Sequence, residues 1–475
     1  MASLNESFMV SLEETVLVKP PENLERKTIE LSGMDRITPA MLYIVFFYKS
    51  CSEGCVGGER NIGEGGERNT GTGGERNHVA DRIKKALERV LVSWYPAAGR
   101  LRLSEKTGKL EVDCNGEGVM MVTAHTEAKL EDLGVLHEYK PSYEKLVPQV
   151  QPSKDVSKNP LTVCQVTKFA DGGFSLGFGS NHALSDGVGA SHFLLSCAHI
   201  ASGKDETLLS KPNHSRQRLM SIISPHGAAV NKTSIFTNPN ISAIKDLCKI
   251  PMKAMASDDL SWEITLSEMC SQKSGVGLEL ITICVKQEAI EEWKKATGLP
   301  ICSTFDVLCA RIWKARAMAL EFHPSTKICL QFPMNARNKL HPPLLENYAG
   351  NAFVLASVLS SAHELFQEPL WSIIVKIQAA KKEVGHEYAK SFATALESTE
   401  KFFPSMRELT LVSDWMKFPF LELDFEWGKP CGAVPLVTPA PETAFLMRGS
   451  SEVFVRIGLE SQHVEAFMKN FYGSH

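Results

Sequence analysis

The stretch from Ser180 to Gly187 constrains the fold most, because it joins a strand to a helix through a turn that carries a histidine. The preceding residues, Gly172 to Gly179, place glycines among apolar side chains and predict a buried strand. Val188 to Leu195 predicts the opening of a helix. His182 is therefore expected where the strand ends, a position that presents a side chain into a cleft. The alternative is a core histidine whose hydrogen bonds are satisfied within the fold.

The bulk composition narrows the class of protein. A chain of 475 residues is too long for one ordinary core, so two domains are expected. The net charge of −4, without a polybasic block, argues against nucleic acid or an anionic membrane as a partner. The 12 cysteines are scattered without a C-x-x-C pair, which indicates reduced thiols, no zinc site and no disulfide framework. With no signal peptide and no membrane-length apolar run, we expect a cytoplasmic protein without a metal.

Strand and helix patterns alternate in both halves of the chain. Apolar side chains from Ile83 to Trp94 recur at helical spacing, and Ser303 with Asp306 predicts a capped helix start. Two hairpins are predicted, one around Asn115-Gly116 and one around Asp171 to Gly173, and a long helix is predicted over 370–396. This interleaving predicts an α/β fold with mixed sheets and flanking helices.

Domain boundaries follow from composition. We predict an N-terminal domain over 1–205, a weakly patterned linker over 206–258 and a C-terminal domain over 259–475. Within the first domain, the unit Gly-Glu-Arg-Asn recurs at a period of eight between 57 and 77. Three copies of a polar, glycine-rich unit cannot bury a core, so 57–77 is predicted to be a flexible surface insertion.

Two motifs together point to a family. His182-Ala183-Leu184-Ser185-Asp186-Gly187 and the later Asp424-Phe425-Glu426-Trp427-Gly428 resemble the H-x-x-x-D-G and D-F-G-W-G hallmarks of the plant BAHD acyl-CoA-dependent acyltransferases. The resemblance implies a two-domain chloramphenicol-acetyltransferase-like fold. It places an active-site channel between the domains, and by the predicted boundaries the second motif lies in the C-terminal domain, 259–475. It also implies acyl-CoA as a co-substrate and no bound cofactor.

Acyl transfer from a thioester suits a single histidine. The thiol leaving group has a pKa of about 8.5 and needs little acid help. A neutral imidazole can accept the proton of an attacking hydroxyl or amine, which makes His182 the candidate catalytic base. The chain has no G-x-S-x-G elbow that would indicate a covalent acyl-enzyme, so direct transfer in a ternary complex is expected.

The neighbouring motif residues are assigned mainly structural roles. Asp186 could orient the imidazole as in a catalytic triad, but the resemblance implies that it pairs with Arg337 and fixes the turn. Gly187 is expected to give the turn backbone freedom. Asp424, Trp427 and Gly428 are expected to form a structural loop, or one tied to CoA binding.

Three further positions in the second half carry expectations. Glu426 replaces the family's central glycine and would be strained there if that position takes positive φ. Ser413 and Trp415 match positions that line the acceptor cavity in hydroxycinnamoyl transferases. Both can donate hydrogen bonds to an oxyanion, and the alternative for Trp415 is core filling.

The acceptor remains open at the level of sequence. Several blocks, among them Met41 to Lys49 and Leu409 to Phe420, most resemble spermidine hydroxycinnamoyl transferase. This favours a hydroxycinnamoyl donor and an amine acceptor such as spermidine, whose charges need carboxylates or aromatic faces nearby. Four acidic residues near the second motif are candidates: Asp414, Glu422, Asp424 and Glu426. The alternatives are an alcohol acceptor, a non-catalytic partner protein of the same fold and a pure binding module. The resemblance also implies a monomer.

Overall fold

The computed structural model divides the chain into two compact units. It describes residues 8–36, 40–50, 78–150, 153–204, 210–223, 250–251, 277–397, 402–403, 407–436 and 443–473. Unit 1 comprises Met1–Glu30, Ala40–His214 and Pro419–Val437. Unit 2 comprises Leu31–Pro39, Ser215–Phe418 and Thr438–His475. The predicted insertion at 57–77 lies outside the described residues.

Unit 1 is built on a mixed sheet in the order β1-β6-β7-β8-β3-β15, with a smaller sheet β2-β5-β4 beside it. All pairs in the larger sheet are antiparallel except β6 with β7. The elements are β1 (Ser11–Val18), β2 (Lys27–Glu30), β3 (Met41–Tyr48), α1 (His78–Ser93), β4 (Arg100–Leu103), β5 (Leu110–Cys114), β6 (Val119–His125), β7 (Thr162–Lys168), β8 (Phe174–Asn181), α2 (Gly187–Ala201) and β15 (Gly432–Pro435).

The main sheet of unit 1 is covered on both faces, which explains the continuous apolar run of β3. Alternate residues of β3 and β8, such as Phe46 and Phe178, share one face of the sheet. Phe178 packs there with Phe193 of α2. On the opposite face, Val45 and Phe47 join a core cluster with Tyr143 of the 3₁₀ helix Pro141–Leu146. The apolar stripe predicted for α1 is buried as expected.

Unit 2 contains a second mixed sheet in the order β10-β17-β16-β14-β11-β12 and a short pairing of β9 with β13. In the larger sheet, β14 is parallel to both of its neighbours, and the other pairs are antiparallel. The elements are α3 (Gln217–Ile223), β9 (Ile250–Pro251), β10 (Leu278–Lys286), α4 (Gln287–Ala296), α5 (Thr304–Ala319), β11 (Lys327–Asn335), β12 (Phe353–Ser361), α6 (Ala362–Gln367), α7 (Leu370–Glu383), α8 (His386–Glu397), β13 (Phe402–Phe403), β14 (Leu409–Asp414), β16 (Thr443–Arg448), β17 (Glu452–Glu460) and α9 (Ser461–Tyr472).

Helix α5 forms the centre of unit 2 and is buried along nearly its whole length. Its predicted start is confirmed, because the Ser303 side chain accepts a hydrogen bond from the Asp306 N–H and the Asp306 carboxylate accepts one from the Ser303 N–H. Helices α7 and α9 and strand β14 pack against it. The α/β fold with mixed sheets and flanking helices is therefore confirmed.

Two predictions about local elements are wrong. β5 and β6 do not form a hairpin around Asn115-Gly116, because β5 pairs with β2 and β4 while β6 pairs with β1 and β7. The long helix predicted over 370–396 is two helices, α7 and α8, which are separated at Val384 and Gly385. The second predicted hairpin, β7 with β8, is confirmed.

The division into units differs from the predicted boundaries, because unit 1 continues to His214 and two further segments change unit. Pro419–Val437 belongs to unit 1, because β15 pairs with β3 and extends its sheet. The second motif, at 424–428, therefore lies in unit 1 and not in a C-terminal domain. Leu31–Pro39 belongs in turn to unit 2. Most of the predicted linker lies outside the described residues, and its described part includes α3.

Candidate active site

His182 lies where the sequence predicts it, in the turn that follows β8 and precedes α2. Its side chain is half-buried, and its backbone N–H donates to the Ala40 carbonyl at 2.9 Å, which extends the β3–β8 ladder by one residue. The turn is closed by Asn181, whose carbonyl accepts from the Leu184 N–H at 3.0 Å. The catalytic candidate is thus presented from a rigid strand end.

Glycines in β8 allow the backbone of this strand to lie close to the neighbouring chain. A Cβ atom at Gly177 would stand 2.0 Å from the Leu146 carbonyl oxygen and 2.9 Å from the Val147 side chain. Strand β8 is thus held directly against the 3₁₀ helix that ends at Leu146. The glycines in this stretch of sequence therefore indicate that the backbone of β8 lies close to another segment of the chain.

Asp186 caps α2. It is 7% exposed, and its carboxylate accepts a hydrogen bond from the Gly189 N–H at 3.1 Å. A carboxylate at this position satisfies a free N–H of the first turn and interacts favourably with the helix dipole. Gly187 is the first residue of α2, and the glycines with positive φ in the described chain do not include it. Gly187 therefore does not use the left-handed region, and its expected contribution to the freedom of the turn stays a prediction.

Arg337 follows β11 in unit 2 and is 4% exposed. Its guanidinium donates to the Tyr348 carbonyl at 3.1 Å and to the Gly350 carbonyl at 2.8 Å. Its backbone N–H donates to the Asn335 side chain at 3.0 Å. These contacts fix the guanidinium within unit 2. The predicted Asp186–Arg337 ion pair joins residues of different units and stays a prediction.

The second motif forms a tight loop centred on Asp424. The Asp424 carboxylate accepts from the Glu426 N–H at 2.8 Å and the Gly428 N–H at 3.2 Å. Glu426 has a φ of 84° and Gly428 a φ of 87°. Glu426 therefore occupies the left-handed region that favours glycine, as the sequence suggested.

This loop is anchored at the end of β8 that is remote from His182. Trp427 packs edge-on against Phe174, the first residue of β8, with 5.7 Å between ring centroids. Tyr48 donates to the Leu423 carbonyl at 3.0 Å. Because β8 has eight residues, its two ends are roughly 23 Å apart. The loop therefore lies far from His182, and the structural role expected for Asp424, Trp427 and Gly428, or a role tied to CoA binding, stays a prediction.

Arg82 of α1 connects the loop to the rest of unit 1. Its guanidinium pairs with the Glu426 carboxylate, lies 5.5 Å from the Trp427 ring centroid and donates to the Ala201 carbonyl at 3.0 Å. Where the family motif has glycine, the carboxylate of Glu426 is therefore paired with the guanidinium of Arg82.

Ser413 and Trp415 lie together in unit 2, at the end of β14. The Trp415 indole N–H donates to the Ser413 hydroxyl at 3.1 Å. Trp415 also packs edge-on against Phe445, the residue paired with Ser413 in β16. The two candidates form one hydrogen-bonded pair, in which the Ser413 hydroxyl accepts and keeps its own proton for another acceptor.

Asp414 points to the other face of β14, because side chains alternate along a strand. Burial raises the pKa of Asp414, and a hydrogen bond from the Met416 N–H together with Lys417 and Lys381 lowers it only in part. Its charge also acts on the Cys309 thiol of α5. Asp414 therefore faces the helices of unit 2 and not the face of Ser413.

Two buried thiols of unit 1, Cys164 and Cys197, are poor candidates for a nucleophile. Burial raises the pKa of Cys164 to about 12, and burial together with Cys164 raises the pKa of Cys197. Thiols in such surroundings are unreactive. No group of three or more His, Cys, Asp or Glu that could hold a metal ion occurs in the part of the chain that the structure describes.

The sequence analysis missed a buried polar network around Asp35 in unit 2. Asp35 is fully buried and accepts hydrogen bonds from Ser32, Arg216 and Asn351. Arg216 is itself buried, and its guanidinium lies 5.7 Å from the Tyr348 ring centroid. The spacing of Ser32 and Asp35 matches that of a side chain closing a turn, which was the available signal. This network fixes the described residues 31–36 on unit 2.

The fold has two mixed α/β units, and unit 1 carries the histidine turn. The family model described as "Transferase family" matches residues 74–474. The chain belongs to this Transferase (BAHD) family, whose enzymes use CoA thioesters as co-substrates, and is an acyltransferase.

Individual relatives agree with this assignment. The chain is 36% identical over 468 residues to Brassinosteroid-related acyltransferase 1 of Arabidopsis thaliana, covering 94% of each. It is 29% identical over 468 residues to Omega-hydroxypalmitate O-feruloyl transferase of Arabidopsis thaliana, covering 97% of this chain and 92% of the relative. The resemblance to spermidine hydroxycinnamoyl transferase stays a hypothesis.

Solved structures share the fold. Vinorine synthase aligns with a TM-score of 0.68 and 18% identity, covering 96% of each chain. TRI101 of F. graminearum, complexed with coenzyme A and T-2 mycotoxin, aligns with a TM-score of 0.69 and 14% identity, covering 92% of this chain and 96% of that one. No helix within the described ranges is both long and apolar enough to cross a bilayer.

Proposed function

We propose that this enzyme transfers a hydroxycinnamoyl group from CoA directly to a hydroxyl acceptor, with His182 as general base. The observation that carries the proposal is the position of His182, half-buried on a turn fixed by Ala40 and Asn181 at the end of β8. General base catalysis requires an imidazole that is held in place and still accessible to the substrate.

The reaction needs no group beyond the protein and its two substrates. As the acceptor oxygen attacks the thioester carbonyl carbon, its proton moves to the imidazole of His182. The tetrahedral intermediate then collapses, the C–S bond breaks, and the imidazolium returns the proton to the departing thiolate as CoA–SH. The raised pKa values of Cys164 and Cys197 argue against either thiol as the site of a cysteine acyl-enzyme and so favour this direct route.

Ser413 and Trp415 remain the substrate-pocket candidates of this proposal. The developing negative charge on the carbonyl oxygen requires hydrogen-bond donors. Since the Trp415 N–H already donates to Ser413, the Ser413 hydroxyl is the donor of the pair that we assign to the oxyanion. Asp186 and Arg337 are proposed as a structural pair that fixes the histidine turn.

The choice of a hydroxyl acceptor follows from the surroundings of the four acidic candidates. Glu422 pairs with Lys429, and Glu426 pairs with Arg82. Asp424 is used by the backbone of its own loop, and Asp414 faces the helices of unit 2. A polycation would have to compete with these contacts for the four carboxylates.

The names of two relatives also support hydroxyl acceptance. One is an O-feruloyl transferase for omega-hydroxypalmitate, and another, 29% identical over 466 residues, is the fatty alcohol:caffeoyl-CoA acyltransferase of Arabidopsis thaliana.

An amine acceptor such as spermidine is the second candidate. The blocks that resemble spermidine hydroxycinnamoyl transferase favour it, and one relative, 27% identical over 475 residues, carries an N-hydroxycinnamoyltransferase name. We further propose that the protein is a cytoplasmic monomer, which cell fractionation and light scattering of the purified protein would test.

A parallel assay separates the candidates. Purified protein is supplied with coumaroyl-CoA and, in separate wells, with a long-chain alcohol, an ω-hydroxy fatty acid or spermidine, and CoA release is followed. Release that depends on a hydroxyl acceptor supports the proposal. Release with spermidine alone would overturn the hydroxyl assignment. Folded protein that is silent with every acceptor and with other acyl-CoAs would support a non-catalytic partner or a binding module.

A further inference from the structure

Asn181 closes the turn that presents His182 in two ways. Its main-chain carbonyl accepts from the Leu184 N–H at 3.0 Å, and its side-chain oxygen accepts from the Ala183 N–H at 2.9 Å. Its own N–H donates to the Leu161 carbonyl at 2.8 Å. Side-chain closure of this kind is a property of Asn and Asp, which can bond the backbone N–H two residues on.

The side-chain bond differs from the others around the turn. The N–H groups of Asn181, His182 and Leu184 donate to main-chain carbonyls, which most substitutions would leave in place. Only the N–H of Ala183 among these four depends on a side chain. Ala183 is fully buried, so bulk water cannot replace a lost acceptor there.

We propose that Asn181 is a positioning residue for the general base, because its side chain fixes the backbone on both sides of His182. This inference rests on the proposed function of His182. A catalytic group displaced by about 1 Å can lose roughly 100-fold in rate. Removing the Asn181 side chain leaves the Ala183 N–H without its acceptor and allows the turn to move.

The conservative substitution Asn181→Asp should change the pH dependence of activity, which a purely structural role of Asn181 would leave unchanged. Asn181→Asp retains an oxygen that accepts from Ala183, so the turn stays closed. It also adds a negative charge one residue before His182 in the chain, and a nearby negative charge favours the protonated imidazole and raises its pKa. A base that must be neutral then becomes active at higher pH.

Asp171 provides a matched control at the other end of β8. Its carboxylate accepts from the Gly173 N–H at 3.1 Å, the same two-residue spacing, and from the Leu130 N–H at 2.8 Å. Asp171→Ala therefore removes the same kind of side-chain closure, together with the bond from Leu130, from the turn before β8 and remote from His182.

The experiment compares kcat, KM for acyl-CoA and the pH profile of Asn181→Ala, Asn181→Asp and Asp171→Ala, with His182→Gln in parallel. We expect Asn181→Ala to lose about 30- to 100-fold in kcat with KM within about twofold. Asn181→Asp should keep kcat within about fivefold and move the acidic limb of the profile upward. Asp171→Ala should lower the melting temperature while keeping kcat per folded molecule.

Distinct results overturn the inference and the proposed function. Asn181→Ala with kcat within threefold of wild type, while His182→Gln is inactive, would overturn the role of Asn181 alone. An equal loss of kcat in Asp171→Ala would show that any disturbance of β8 suffices, which also overturns it. Full turnover by His182→Gln would overturn the proposed function itself.

Discussion

Substitution of Gly177 by alanine tests how β8 supports the candidate site. The new Cβ would stand 2.0 Å from the Leu146 carbonyl oxygen, whereas a carbon–oxygen contact needs about 3.3 Å. Strand and 3₁₀ helix must therefore separate by about 1.3 Å. Overpacking of this kind costs about 1–3 kcal/mol, and a clash with backbone belongs at the upper end of that range.

The expected results are a lower melting temperature and a lower rate. For a unit of this size, about 3 kcal/mol corresponds to a decrease of roughly 6–12 °C. The strand that shifts is the one that ends at His182, so kcat should fall by about 10- to 100-fold. Thermal unfolding followed by circular dichroism and CoA release measure the two effects.

Gly385→Ala is the matched control, because a Cβ there meets no atom within 4 Å and its φ is not in the left-handed region. It should change the unfolding free energy by less than about 1 kcal/mol. If Gly177→Ala is as stable as Gly385→Ala, the proposed close packing of β8 against Leu146 is incorrect.

Two further predictions concern Glu426 and Asp414. Glu426 has a φ of 84°, which glycine adopts more readily than alanine, and its pair with Arg82 is half-exposed. In urea unfolding, Glu426→Gly should therefore be about 1 kcal/mol more stable than Glu426→Ala. The reverse order would contradict backbone strain at this position. Burial raises the pKa of Asp414 in the folded protein. Above about pH 3.9 the unfolded chain loses the proton of this carboxyl group, whereas the folded protein still holds it. The free energy of unfolding therefore falls as the pH rises through the raised pKa of the folded state. Asp414→Asn should therefore increase the unfolding free energy at pH 7 and not at pH 3, and an equal change at both pH values would argue against this cause.

The sequence predicted features that depend on neighbouring residues along the chain. The histidine turn follows from a glycine-spaced strand that runs into a helix, and the start of α5 follows from Ser303 and Asp306. The strained position of Glu426 followed from a comparison of motifs and is confirmed by its φ.

Features that depend on distant pairing could not be predicted. Asn115-Gly116 looks like a hairpin turn, but β5 and β6 have different partners supplied by remote segments. The return of Pro419–Val437 to unit 1 depends on the pairing of Gly432 with Phe47, which nothing local indicates. In the sequence, nothing distinguishes Asp35 from a polar surface residue, because its partners Arg216 and Asn351 are remote in the chain.

Replacement of His182 tests the central claim most directly. CoA release by His182→Gln is compared with wild type and with His192→Gln, which changes an exposed histidine of α2. The account predicts a loss of about 100- to 10,000-fold in kcat for His182→Gln, with unchanged folding, and full activity for His192→Gln. Turnover by folded His182→Gln within about tenfold of wild type would contradict the role of His182 as general base.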